Sequence, residues 1–152
     1  MINMKASRII GKIIAVIQIG SVVALIAGMH TILGVFSTAL PTGEKEIEIQ
    51  FNDPVVIPFK FSPINRGYLK ATMYVSVKLI ADDLELAFDS ALIEIPSGSD
   101  IPVELELSLP LSDAEKYLRE DVDLNWETEI SVTTLYDLIS FNNRMVIEGD
   151  GR

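Results

Sequence analysis

Several residue types on which protein chemistry often depends are scarce or missing in this chain. Its 152 residues contain no cysteine, one histidine and one tryptophan. Without cysteine there can be no disulfide, no thiolate nucleophile and no cysteine-ligated metal site. No Asn-x-Ser/Thr sequon occurs, and the nine glycines are scattered instead of forming a phosphate-binding loop. The sequence therefore excludes several common enzyme and metal-binding classes at the outset.

Acidic residues are absent from the first 43 positions, although the chain has 22 of them and a formal net charge of −10. The first 12 residues carry only the bases Lys5, Arg8 and Lys12. Beyond residue 40, 22 acids face the 9 remaining bases of the 12, which gives a balance of −13. Nucleic acid and anionic lipid are poor partners for such a surface.

What the chain does have is an apolar run of 28 residues, 13–40, without a single charge. About 20 residues of helix cross a bilayer core of about 30 Å, so this run predicts a transmembrane helix. Because bases precede it and acids follow it, the positive-inside rule places the N-terminus in the cytoplasm. We expect a cytoplasmic tail (1–12), a helix in the cell membrane (13–40), a linker (41–45) and an extracytoplasmic domain (46–152).

Two other interpretations of the run are considered. Ser37-Thr38-Ala39 imitates the cleavage site of a signal peptide, but signal-peptide cores are about 7 to 15 residues long, which is roughly half of this run. A prepilin-type leader cut at Lys5-Ala6 would leave Arg8 and Lys12 inside the core of a filament. Burying two unpaired cations there is costly. An uncleaved anchor is the preferred interpretation, and a pilin-like subunit is the alternative.

One side of the expected helix is lined by small residues. At 100° per residue they fall within about one 100° arc, and spacing of this kind lets another helix approach closely in lipid. The members of this small-residue arc are Gly20, Ala24, Ala27, Gly28 and Thr31. Gln18 and His30 are the strongly polar groups of the run, but they lie too far apart to form one site. The arc predicts docking to a partner helix or to a second copy.

After residue 43 the sequence alternates apolar and polar residues with a period of two. Residues 45–51, 71–79, 101–109 and 124–134 each place their apolar members on one face. This pattern, with breaks at strand-length intervals, is typical of antiparallel sheets with one buried face. We expect an all-β fold, an immunoglobulin/fibronectin-III-like antiparallel sandwich of seven or eight strands with one short helix. Asp82-Asp83 predicts a hairpin turn, and Ser112 and Glu115 form a capping box that predicts a helix ending near residues 120–122.

The domain resembles the LEA14 or WHy family, the type 2 late-embryogenesis-abundant proteins. The resemblance is carried by the loop SPINRG (62–67), and by IPSGSDIPVELELSLPLSDAEKYL (95–118), and it covers roughly residues 46–147. Ser62 departs from the pattern, since it replaces the usual first Asn of the loop. The resemblance implies a seven-stranded sandwich with one helix and no catalytic activity. The family's link to dehydration stress in plants is not carried over to this chain.

Candidate chemical sites in the domain have simpler explanations. With the one histidine in the apolar run, Ser-His-Asp and zinc-histidine sites are excluded from the domain. The pairs Glu104/Glu106 and Glu127/Glu129 are interpreted as solvated charges. A weak Ca²⁺ candidate, Glu120, Asp121 and Asp123, lacks the spacing of a calcium loop. Trp126 is assigned to the core, and Tyr74 on the polar face of its strand is the best candidate for a contact surface.

The sequence thus predicts a non-catalytic single-pass membrane protein without catalytic residues, cofactor or metal. Its domain is expected to serve as a structural or interaction module of a membrane or envelope complex. The expected partners are the lipid bilayer and other envelope proteins, or further copies of the chain. A pilin-like filament subunit and a small-ligand or metal-binding sandwich are kept as alternatives.

Overall fold

The computed structural model describes residues 4–39, 52–118 and 122–149, which form two helices and six strands. In chain order these elements are α1 (Met4–Ala39), β1 (Val55–Phe61), β2 (Ala71–Ala81), β3 (Leu84–Ile95), β4 (Val103–Leu109), α2 (Leu111–Tyr117), β5 (Leu124–Thr134) and β6 (Ile139–Gly149). Helix α1 is apolar and long enough to cross a membrane. The strand predicted at residues 45–51 lies outside the described residues.

The strands form two antiparallel sheets. One has four strands in the order β3-β2-β5-β6, and the other pairs β1 with β4. Their inner faces share one hydrophobic core, to which Met73 and Ile130 contribute from the larger sheet and Leu105 and Leu107 from the smaller. The antiparallel, mostly β architecture predicted from the sequence is therefore confirmed. We refer to residues 52–118 and 122–149 as the β domain.

The alternating patterns are reproduced by the burial of the strands. In β4, every second residue from Val103 to Leu109 is buried and the residues between are exposed. In β2, Ala71, Met73, Val75, Val77 and Leu79 are buried, as the period of two predicts. Asp82 and Asp83 adopt φ values of 48° and 62° in the turn between β2 and β3, which confirms the hairpin. A two-residue turn of this hand matches the twist of the strands that it joins.

Trp126 lies where the sequence placed it. Its ring is half-buried against the core and meets Phe59 edge to face, with ring centroids 5.5 Å apart. Because Phe59 belongs to β1 and Trp126 to β5, this pair joins the two sheets. It also makes the one tryptophan of the chain a reporter of sheet packing.

Two local predictions are wrong. Helix α2 begins directly after its N-cap Pro110, which makes no side-chain capping hydrogen bond, so Ser112 lies inside the first turn and not at its start. The Leu111 N–H donates to Asp53 Oδ1 at 3.4 Å. The N–H groups of Asp113 and Ala114 donate to the Pro110 carbonyl, each at 3.0 Å, so the capping box is not needed. The helix also ends at Tyr117, earlier than predicted.

The second error concerns the solvated carboxylates. Glu104 and Glu106 are exposed as predicted, but the side chain of Glu127 is only 12% exposed and binds Arg144 at 2.8 Å. The reason is its place on a central strand of the larger sheet, where Arg144 of β6, which is paired with Glu129 two residues further along β5, reaches diagonally to Glu127. The Glu127 carboxylate, through this hydrogen bond, raises the pKa of Arg144.

Candidate functional site

The C-terminal turns of α1 pack directly on the β domain, and we call this contact the junction. Ile32, Val35 and Ala39 are at most 4% exposed and belong to the same hydrophobic core as the strands. Phe36 meets Phe141 of β6 edge to face, with centroids 4.7 Å apart. Full burial of a valine or isoleucine contributes about 1.5–3 kcal/mol relative to exposure. The helix is therefore part of the fold of the β domain and not merely attached to it.

Two threonines bind the helix to the loop before β2. Thr38 Oγ1 accepts a hydrogen bond from the Ile64 N–H at 2.9 Å, and Thr31 Oγ1 accepts one from the Leu69 N–H at 3.3 Å. Each hydroxyl also lies within donating distance of a carbonyl one turn earlier in α1, that of Ala27 for Thr31 and Val35 for Thr38. Because seven residues are close to two helical turns, both hydroxyls lie on one side of the helix. They fix the loop at two points along the helix axis.

Close approach at the junction depends on two glycines. A Cβ at Gly67 would overlap Thr31, and a Cβ at Gly28 would overlap the side chain of Ile139. Leu135 and Thr134 also lie 3.4 Å from the position of that Gly28 Cβ. At Gly67 the overlap includes the Thr31 Cα, so any side chain there would hold the loop away from the helix. At Gly28 a Cβ meets the end of the Ile139 side chain, so a large side chain has no space there.

The loop itself is held by Asn65, whose side chain is completely buried. Its Nδ2 donates to the carbonyl oxygens of Leu69 at 2.8 Å and Ile95 at 2.9 Å. Its Oδ1 accepts from the Gly67 N–H at 2.9 Å. Because the amide satisfies three backbone groups, one of which, the Ile95 carbonyl, lies 30 residues further along the chain than Asn65, it joins the loop to the end of β3. Asn65 therefore positions Gly67 against the helix.

The turn after β3 completes the junction. Ser97 Oγ donates to the Gly67 carbonyl at 2.6 Å, and the Gly98 N–H donates to the Asn65 carbonyl at 2.8 Å. Ile64 and Asp100 form an isolated antiparallel bridge in the same place. The two segments that carry the family resemblance in the sequence are thus neighbours in space. Sequence reasoning identified both segments but not that they receive the helix.

The small-residue arc of α1 has two different environments. Gly28 and Thr31 are buried against the β domain of the same chain, so these two positions are not available to a partner helix. Ala27 is half-buried beside them. A Cβ at Gly20 would meet nothing within 4 Å, and Ala24, which is half-buried like Ala27, lies one turn further along the same arc. Docking to a partner helix or a second copy was predicted for the whole arc, whereas its C-terminal part packs on the chain's own domain.

The remaining candidate residues are dispersed. His30 stacks on Tyr68 with ring centroids 5.6 Å apart, and Tyr74 is half-buried on the outer face of the larger sheet. Asp123 is exposed, whereas Glu120 and Asp121 of the calcium candidate lie outside the described residues. Within the described parts of the chain, no three His, Cys, Asp or Glu residues group as metal ligands. Lys60 pairs with Glu104 at 2.6 Å, and this hydrogen bond raises the pKa of Lys60.

No protein-family model matches the chain, and no curated protein matches it. Among solved structures, an Archaeoglobus fulgidus protein is similar at 9% identity and a TM-score of 0.46, over 68% of this chain and 89% of that one. A β-glucuronidase from Bacteroides uniformis is similar at 10% identity and a TM-score of 0.45, but the chain corresponds to only 12% of its length. An Arabidopsis thaliana protein solved in solution has 15% identity and a TM-score of 0.37, over 79% of this chain and 92% of that one.

Replacing Asn65 tests whether the loop depends on one amide. In Asn65→Ala, three buried backbone groups lose their partner, so we expect the free energy of unfolding to fall by at least about 2 kcal/mol. Urea unfolding of the full chain in detergent micelles, followed by Trp126 emission, measures it. The exposed Asn142→Ala is the control and should change the value by less than about 0.5 kcal/mol. Equal effects of the two variants would contradict this role of Asn65.

Replacing Gly28 tests the contact between helix and domain. The leucine of Gly28→Leu has no space beside Ile139, so we expect the same unfolding measurement to show a loss of about 1–3 kcal/mol. Gly11→Leu is the matched control, because Gly11 lies outside the small-residue arc and a Cβ there meets nothing within 4 Å. A stable Gly28→Leu variant whose Phe36 and Phe141 stay in contact by NMR would show that the junction tolerates a side chain there.

Proposed function

We propose that the chain is a single-pass membrane protein that holds its β domain outside the cell membrane as a non-catalytic structural or interaction module. One observation carries the proposal: α1 runs without a break from a fully exposed apolar stretch into the core of the β domain. The N-terminal part of this helix needs an apolar environment, whereas its C-terminal part already has one.

The exposed stretch is too apolar to face water. Between Ile9 and Ile26, eleven large aliphatic side chains are each at least 50% exposed. A continuous apolar surface of this kind is covered in the working protein by lipid or by other apolar helices. Lys5 and Arg8 precede this stretch and Lys12 lies near its start, so the positive-inside rule supports a cytoplasmic N-terminus.

The junction favours an uncleaved anchor over a signal peptide. Ser37-Thr38-Ala39, which imitates a cleavage site, lies within α1, where Ala39 is 2% exposed and Thr38 binds Ile64. Cleavage there would remove Ile32 and Val35 from the core of the β domain. A chain built to lose its N-terminal helix would have no reason to bury that helix in its fold.

The assignment of the β domain to a LEA14-like, immunoglobulin/fibronectin-III-like sandwich is part of the same proposal. Its support is the junction, where Asn65 of the first resemblance segment binds the Ile95 carbonyl of the second. A non-catalytic role is supported by the acidic side chains, which among the described residues lie dispersed on the surface or in ion pairs with single bases. Tyr74 remains the proposed contact residue on the outer sheet face.

A partner helix would pack on Gly20 and Ala24, the part of the small-residue arc that precedes the contact with the β domain. We expect the protein to remain in membranes washed at alkaline pH and to copurify in mild detergent with a second copy or another membrane protein. Gly20→Leu should reduce that association by at least several-fold, because it fills the small-residue surface. Val22→Leu is the control, since Val22 lies outside the arc.

Three results would count against this proposal. Release from membranes by the alkaline wash would remove the anchor. A strictly monomeric protein without a copurifying subunit would remove the docking role, and so would a Gly20→Leu variant that associates as well as the unchanged chain.

A pilin-like filament subunit is the second candidate. It is favoured because the N-terminal part of α1 is exposed while its C-terminal part is buried in the β domain. The exposed apolar stretch of many copies would bundle as the filament core, with the β domains outside. Mass spectrometry of the mature N-terminus separates the two functions. We expect a chain that retains residues 1–6, whereas a mature start near Ser7 would support the filament subunit.

A further inference from the structure

The end of the β domain that surrounds α1 is unusually apolar. Among the described residues, the three most exposed large apolar side chains are Tyr136 (100%), Leu138 (82%) and Tyr68 (77%). All three lie at this end, Tyr136 and Leu138 in the turn between β5 and β6 and Tyr68 in the loop before β2. We call Tyr68 together with the turn 135–138 the tip.

The turn that presents these side chains is strained. Leu135, Tyr136 and Asp137 have φ values of 54°, 54° and 65°, in the left-handed region that costs a non-glycine residue about 1–2 kcal/mol. A hairpin turn of this hand is usually built from Asn-Gly, Asp-Gly or Gly-Gly. Here only Asp137 is of that type, and its carboxylate accepts a hydrogen bond from Thr133 Oγ1 at 2.7 Å. Of the strained residues, Tyr136 is displayed to the outside, whereas Leu135 is half-buried against α1 beside Gly28.

Both parts of the tip lie at the same height along α1. Leu135 lies beside Gly28, and the ring of Tyr68 stacks on His30. Gly28 and His30 are two residues apart, which corresponds to about 3 Å of rise and about 200° of rotation. The two parts of the tip therefore flank the helix on different sides. The exposed apolar groups therefore lie around the helix at one level, near Gly28 to His30.

Helix length sets where that level lies in a membrane. From Ile13, the first residue after Lys12, to His30 there are 18 uncharged residues. At about 1.5 Å per residue they rise about 27 Å, slightly less than the bilayer core of about 30 Å. Beyond His30, Ile32 and Val35 are already covered by the β domain. No length of free helix remains between the bilayer and the tip.

We propose that the tip inserts into the interfacial layer of the same bilayer that α1 crosses. Tyrosine is enriched at this depth because its ring is apolar and its hydroxyl is polar. Leu138 would reach the acyl chains. Acyl chains would also fill the open groove beneath Tyr68, which is lined by Val23, Ile26, Ala27 and His30. This inference rests on the proposed membrane anchor and adds that the β domain lies directly on the lipid surface.

Charged groups near the tip are compatible with this position. Lys70 is paired with Glu94 at 2.9 Å, and Asp137 is bound by Thr133. Arg66 is exposed and can extend its guanidinium to the headgroups. The apolar side chains carry the proposal, so a zwitterionic bilayer should be sufficient.

Because the chain has no cysteine, single labels can test the proposal. Leu138→Cys and the control Leu84→Cys are labelled with an environment-sensitive fluorophore, and each full chain is reconstituted in phosphatidylcholine vesicles. Leu84 is also exposed, at 53%, but it is the first residue of β3 and pairs with Ala81 at the end of β2 that is far from the tip. The 11 residues of β2 span about 35 Å. We expect label 138 to emit at shorter wavelength and to be quenched several-fold more strongly by lipids with a nitroxide near the headgroup. Label 84 should behave as in water.

Vesicle flotation after an alkaline wash separates the possible failures. If the chain floats but labels 138 and 84 respond alike, the tip proposal is wrong and the anchor stands. A blue-shifted label 138 that lipid nitroxides do not quench would be covered by protein, which also overturns the tip proposal. Insertion that requires phosphatidylglycerol would indicate attraction through Arg66 and Lys70 instead of apolar insertion, and would overturn it too. A chain that does not float contradicts both proposals.

Discussion

The burial of the last turns of α1 in the core of the β domain is the contact on which the rest of this structure depends. It removes the freedom that a linker would give, so the position of the helix determines the position of every strand. Ile32 and Val35 supply the apolar surface, and Thr31 and Thr38 supply the hydrogen bonds that fix the helix along its axis. An apolar surface alone would allow the helix to slide or rotate, whereas two hydroxyls bound to two separate N–H groups allow one position.

The junction also explains why the loop before β2 has its sequence. A loop that contacts a helix needs its own backbone groups satisfied, because water has little access between the two. Asn65 satisfies three of these groups, and Gly67 then lets the loop contact Thr31 without a side chain between them. These contacts therefore connect the end of β3, through Asn65 and Gly67, to helix α1. Weakening any of these interactions should loosen the connection between α1 and the β domain.

Much of the fold follows from periodicity, whereas the junction does not. The alternation in β2 and β4 predicts which residues are buried because a strand has only two faces. Periodicity does not say what covers a face. For this reason the small-residue arc was interpreted as a surface for a partner helix, whereas at Gly28 the chain's own domain covers it. Thr38 was interpreted only as part of an apparent cleavage site, since nothing local relates it to Ile64, 26 residues away. The error at Glu127 has the same origin, because Arg144 is 17 residues away in sequence. The error at Ser112 is local, because the N-cap of the helix is Pro110, two residues before the predicted cap.

The division of the small-residue arc restricts how any partner can approach. Gly20 and Ala24 lie on the same side of α1 as Gly28, where the β domain begins. A partner helix that packs on Gly20 would run directly towards Leu135 and Ile139 of the β domain. It must therefore end, bend or tilt away near the level of Gly28, and any outer domain that it carries must stand beside this one. Two copies of the chain meet the same requirement only if their helices cross, since parallel helices joined along this arc would force the two β domains into the same space. A crossed pair in contact near Gly20, with its domains on opposite sides, is the arrangement that this geometry permits.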